Sequence, residues 1–267
     1  MTTRSSSFAA AMAAALAIAF LGLPQVSRAA SGVPAQASGA SAAQSSVAAD
    51  AQSRLSKKQF DNVKVSVENG IATLTGTVDL YEYKADAAKR VMRASGVTAV
   101  RNQINVAGTA ATDAQLEKKL GEQLTYDRVG YGNVFDAIGL KVENGVVTLS
   151  GHSHDYPGKD SALALAATMP GVKDVIDEIE VDPLSPMDDS IRIAVARSVY
   201  GFAMLNKYAI DPAKPIRISV QNGNVALYGT VDSQADKDAA NLRASTVPNV
   251  FSVKNYLQVE GQPSEKR

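Results

Sequence analysis

The residues best able to do chemistry in this 267-residue chain are few and close together. Both histidines lie in the stretch GHSHD, as His152 and His154, with Asp155 next. On an extended strand, residues i and i+2 share a face, so two imidazoles and a carboxylate could converge on a cation. They could also serve as pH-responsive charges. A helical stretch supplies a second set. Lys89, Arg90 and Arg93 fall on one arc opposite Ala88, Val91 and Met92, a basic face that could meet anionic headgroups. Each cation near such a surface is worth roughly 1 kcal/mol. A third set is aromatic. Tyr131 and Phe135, with Tyr126, sit in TYDRVGYGNVFDAIG; Tyr200, Phe202 and Tyr208 sit in YGFAMLNKYAIDPAKP. Aromatics on glycine-bearing loops suit lipid or partner contact, or a long connection folded back on its own core.

Other chemistry has little to work with. There is no cysteine, so no disulfide, thiol nucleophile or lipoprotein-type anchor. No nucleophile motif surrounds the histidines, and catalysis needs a nucleophile with a base, paired carboxylates in a cleft, or a metal. Lys and Arg balance Asp and Glu at 27 each, without the clustered excess of a nucleic-acid binder. The expectation is a non-enzymatic protein with no catalytic residue and no cofactor.

The elements that must position these groups begin after a leader. Arg4, an apolar run from Phe8 to Leu23, Pro24, and small residues at Ser27 and Ala29 predict a secretory signal over residues 1–29. Without it the chain carries 25 basic and 27 acidic residues. Residues 30–46 are small and polar and predict a flexible linker. Residues 261–267 predict a frayed tail.

The remainder spells one unit three times. VENGIATLTGTV from Val67 returns as VENGVVTLSGHS from Val142 and as VQNGNVALYGTV from Val220. Blocks 63–106, 138–181 and 216–259 align without a gap. Asn69-Gly70, Asn144-Gly145 and Asn222-Gly223 between alternating apolar segments predict two-residue type I′ hairpins. Such a turn fixes register: Val67 faces Ala72, Val65 faces Leu74 and Val63 faces Gly76, one apolar side in each copy. The glycines at 76, 151 and 229 predict a helix approaching closely or a bulge. A helix follows each hairpin, then a strand (Val100, Ile104, Val106 and their counterparts) interrupted by a hydrogen-bonding Asn102, Asp177 or Asn255. A helix also precedes each hairpin. The fold class is α+β: three tandem α-β-β-α-β modules, each a three-stranded mixed sheet covered on one face by two helices. They span residues 47–107, 112–182 and 188–260.

The copies carry net charges of +2, −4 and +1. The positions of His152 and His154 are Thr77 and Asp79 in the first copy and Thr230 and Asp232 in the third. The histidine pair is therefore read as strand-end side chains, with no metal.

The pattern of an apolar strand, (Glu/Gln)-Asn-Gly, an apolar-Gly strand, a helix and Gly-Val-x-x-Val-x-Asn-x-Ile-x-Val resembles the BON domain family. GVTAVRNQINV from Gly96 fits throughout; GVKDVIDEIEV carries Asp177, and NVFSVKNYLQV begins with Asn249. The resemblance implies an exported, periplasmic envelope protein similar to osmotically inducible tandem members, with three copies. It implies phospholipid membrane surfaces or envelope proteins as partners and a role under osmotic or related stress. The alternative is a periplasmic protein–protein interaction or scaffolding module without direct lipid binding.

Overall fold

A computed structural model describes residues 36–108, 110–126, 132–183, 185–212 and 214–261. The expected signal segment lies outside them. So does Tyr131.

The first module comprises helix α1 (Gln36–Ser53), a 3-10 turn (Lys58–Phe60), strands β1 (Val63–Glu68) and β2 (Ile71–Val78), helix α2 (Tyr81–Val91) and strand β3 (Ala99–Val106). α1 starts inside the stretch expected to be a flexible linker. Its alanines lose no side-chain entropy on becoming helical, and alanine has the best intrinsic propensity. The second module contains α3 (Asp113–Tyr126), a helical turn α4 (Gly132–Phe135), β4 (Ala137–Glu143), β5 (Val146–Ser153), α5 (Tyr156–Thr168) and β6 (Asp174–Val181). The third contains α6 (Pro186–Tyr200), the short α7 (Lys207–Ile210), β7 (Arg217–Gln221), β8 (Asn224–Tyr228), β9 (Thr230–Val231), α8 (Gln234–Ser245), β10 (Ser252–Asn255) and β11 (Gln258–Val259). β9 and β11 continue β8 and β10 beyond a short break, again as a parallel pair. No helix among the described residues is long and apolar enough to cross a membrane.

Each sheet is mixed: the hairpin pairs antiparallel, and its second strand pairs parallel to the strand after the helix. The register follows from the turns. Val67 opposes Ala72, Val142 opposes Val147, and Val220 opposes Val225. The turn asparagines and glycines all take positive φ, from 50° at Asn69 to 79° at Gly145, as type I′ geometry requires. Val63, Leu74, Ala87, Val91 and Ile104 form the first core, and Val147, Leu149, Ala162, Ala166 and Ile179 the second. Ile191, Val195, Ile218, Leu227, Ala240 and Leu257 form the third.

The glycines late in each hairpin face the backbone of the hairpin's own first strand rather than a helix, and the pairing runs through Gly76 and Gly151 without a bulge. Gly76, Gly151 and Gly229 have φ of 120°, 101° and 127°. A Cβ there would strike the carbonyl oxygen of Asn62, Ala137 or Pro215, each at the start of its hairpin. The helix end before the third strand shows the same left-handed demand. Gly96 and Gly171 sit at φ of 83° and 99°, and Asn249 at 66°. Asparagine replaces glycine where only those two residue types tolerate the conformation well.

The polar residue in the third strand ties strand to helix. Asn102 donates to Lys84 O at 2.7 Å, and Asn255 to Lys237 O at 2.8 Å; each side-chain oxygen accepts the N–H two residues on. Asp177 cannot donate. There Lys159 reverses the bond, its Nζ reaching Asp177 Oδ2 at 2.8 Å and Ile179 O at 2.7 Å.

Candidate functional site

The basic arc of α2 separates into two parts. Arg90 leans onto its own module: its Nε bonds Asp86 Oδ2 at 2.7 Å, and its guanidinium lies 5.7 Å from the Phe60 ring centroid. Phe60 is a core residue, so Arg90 covers the core edge. Lys89 and Arg93, one turn apart, are exposed, with no ion pair among the described residues. Met92 was expected on the apolar side; it is 47% exposed, because the buried stripe of α2 runs through Ala87 and Val91. Lys89 also borders an open groove of about 620 Å³ between α2 and α5, with Ala85, Leu163, Ala164 and Ala167 as its apolar lining.

Of the described insert aromatics, Phe135 and Tyr208 fold inward. Phe135, expected as a lipid contact, is 5% exposed and belongs to the core of the third module, in the cluster that includes Ile191, Val195 and Leu205. An apolar ring gains more from that burial than from water, and α4 places it against β7 and α6. Tyr208 is buried too, bonding Asp236 Oδ2 at 2.7 Å and accepting from Asp232 N. Tyr200 donates to Ile216 O at 2.7 Å. Tyr126 stays exposed, and Phe202 lies under Arg243, 5.5 Å from its ring centroid.

The histidines stand at the seam between the second and third modules, each with its own buried carboxylate. Asp136 receives the backbone N–H of His154 at 2.8 Å and the Ser153 hydroxyl at 2.9 Å, and lies 3.1 Å from the His154 ring. The other ring nitrogen is 3.1 Å from Asp155, which also caps α5 through Gly158 N. The bond to Asp136 raises the imidazole pKa against the opposing effect of burial. His152 turns instead to Asp182, 3.4 Å away, and to Gln221. Asp182 is fully buried and accepts from Ser219 and Gln221 of the third module, both at 2.9 Å. Burial pushes its pKa up; the hydrogen bonds from His152, Gln221 and Ser219 outweigh that and leave it lowered. Arg192 completes the seam. It is 2% exposed, sits 3.5 Å from Asp182, pairs with Asp189, donates to Val220 O, and stacks on Phe135. No group of three His, Cys, Asp or Glu residues among the described residues is arranged to hold a metal.

Other residues emerge only from the structure. Asp113 at the start of α3 accepts from Asn144 N and Gly145 N at 2.7 and 2.8 Å; Asp188 in α6 does the same for Asn222 N and Gly223 N at 2.9 and 2.8 Å. A buried or half-buried carboxylate thus clamps two hairpin turns. The separations differ, 31 residues in one copy and 34 in the other, so a gapless alignment of the strands does not reveal the pair.

Among proteins of known sequence, the chain is 28% identical over 210 residues to Osmotically-inducible protein Y of Escherichia coli (strain K12), spanning 74% of this chain and 98% of that one. Solved structures of CdsD, a structural protein of the Type III secretion system of Chlamydia trachomatis, align over 79% of this chain and 90% of theirs. Identity is 17% and the TM-score 0.22; the C-terminal domain of CdsD gives 15% and the same score, a likeness too weak to bear on fold or function. The BON domain family model matches residues 43–108, 112–183 and 202–261, one match for each repeated module. With those three matches covering most of its length, the chain belongs to the BON domain family.

Proposed function

We propose that this protein is exported to the periplasm by residues 1–29 and acts there, without catalysing a reaction, as an envelope protein of the osmotic-stress response. It associates with phospholipid surfaces through α2 of the first module. The observation that carries the reading is the pairing of exposed, unengaged Lys89 and Arg93 around exposed Met92 on one solvent-facing turn. Two cations at roughly 1 kcal/mol each, with partial insertion of one methionine, give weak, reversible and salt-sensitive attachment. The name of the osmotically inducible relative supports the physiological setting.

Flotation of residues 30–267 with neutral and anionic liposomes at low and moderate salt tests this. Binding to anionic vesicles only, lost in Lys89→Ala/Arg93→Ala and kept in Arg90→Ala, is the expected result, since Arg90 is engaged with Asp86 and Phe60. No flotation under any condition sinks direct lipid binding and leaves an envelope protein as the partner.

A further inference from the structure

The three copies serve as controls for one another on the sheet face that carries no helices. In the third module this face holds an open groove of about 470 Å³, within the roughly 300–1,000 Å³ of ligand sites. One wall is a row of three rings that crosses the seam. His152 of β5 lies 6.2 Å from Tyr228 of β8, and Tyr228 stacks on Tyr256 at 5.2 Å with the planes 16° apart. The remaining polar lining includes Ser219, Gln221, Asn224, Ser252 and Lys254, with no carboxylate among the lining residues.

This decoration belongs to one copy. At the positions of Tyr228 and Tyr256 the first module has Thr75 and Gln103, and the second has Ser150 and Glu178. Where the third has Gln221, the others have Glu68 and Glu143. The scaffold does not require aromatics there, since two copies fold without them. Several lining groups are also held in place before any ligand arrives. Buried Asp182 fixes Ser219 and Gln221, and Ser252 Oγ–H donates to Asn224 Oδ1 at 2.7 Å.

We propose that this groove binds a linear glycan whose pyranose units carry amide and carboxyl substituents. Tyr228 is held between His152 and Tyr256, so the exposed ring at the end of the stack, Tyr256, offers the apolar surface for the C–H face of a pyranose. Amides and hydroxyls exchange hydrogen bonds with the polar rim of the sugar. Lys254, with no carboxylate among the lining residues, accepts an acid-bearing sugar, while the exposed carboxylate of Glu180 lies 4.0 Å from His152, at the far end of the row. The groove is too polar and too open for an acyl chain. It lies on a different module from Lys89 and Arg93, so the two sites succeed or fail separately.

Co-sedimentation of residues 30–267 with purified peptidoglycan sacculi tests the site. The expected result is binding that weakens at least tenfold in Tyr228→Ala/Tyr256→Ala, and is unchanged in Thr75→Ala/Gln103→Ala and in Lys89→Ala/Arg93→Ala. Because the double tyrosine variant removes packing, saturation-transfer NMR with chitotetraose is run on wild type and on Tyr256→Ala, whose ring is already part-exposed. Transfer seen in wild type and lost in the variant supports the proposal. No sedimentation, sedimentation indifferent to the tyrosines or dependent on Lys89 and Arg93, or no saturation transfer overturns it.

Discussion

Phe135→Ala should destabilise a module to which Phe135 does not belong in sequence. The ring precedes the second hairpin, yet it belongs to the buried cluster that includes Ile191, Val195 and Ile218 of the third module, with α4 packed on β7. Truncating a buried phenylalanine costs about 3–5 kcal/mol through lost transfer energy and the cavity left behind. Loss of the ring from Arg192, 6.0 Å from its centroid, adds to this. Arg192 Nε has no hydrogen-bond partner, however, and water entering the space would hydrate it and offset part of the loss. The net expectation is therefore about 3 kcal/mol, roughly two orders of magnitude in the opening equilibrium. Hydrogen exchange read by mass spectrometry locates the effect. Peptides covering 191–199 and 216–227 should exchange about a hundredfold faster, while those covering 63–106 stay unchanged. Liposome flotation should not change. Acceleration confined to the second module, or lost flotation with stability intact, would refute this account of the junction.

Asp188→Asn should cost about 1.5–3 kcal/mol, because a buried carboxylate accepting two turn N–H groups becomes an amide that accepts at one oxygen only; the urea midpoint measures it. Asn102→Ala should cost about 1–2 kcal/mol by freeing Lys84 O and Ile104 N. Asp177→Asn should cost less, since an asparagine there can make the helix bond its counterparts make. The His154 ring is held by Asp136, so its folded pKa lies above the unfolded value of about 6.5. That stabilisation is complete below the unfolded value and disappears as pH rises through the folded one. A His154→Gln variant should lack this part of the pH dependence in urea titrations, and an imidazole NMR titration that gives a pKa at or below 6.5 contradicts it. Asp182 works with the opposite sign: its contribution is present above its unfolded pKa and is lost as pH falls through the lowered folded value.

Each Asn-Gly turn, by demanding positive φ at two adjacent residues, set the register of its hairpin and hence which side chains form each core; that was legible in the sequence alone. So was the repetition; the αL conformation that Asn249 shares with Gly96 and Gly171 came from the structure, the sequence showing only an asparagine where the other copies have glycine. These are local facts, carried by turn chemistry and by period-two alternation. The fates of Phe135, Arg90 and the two histidines are not local. Arg90 is positioned by Phe60 of a 3-10 turn, and His152 by Asp182 and by Gln221, which is 69 residues away. Phe135 is positioned by a neighbouring module's core. Aromatic residues on a glycine-bearing insert read the same whether they face a membrane or another module. Only the placement of one module against the next decides which surface removes the ring from water, and that placement arises from buried pairs no local pattern encodes.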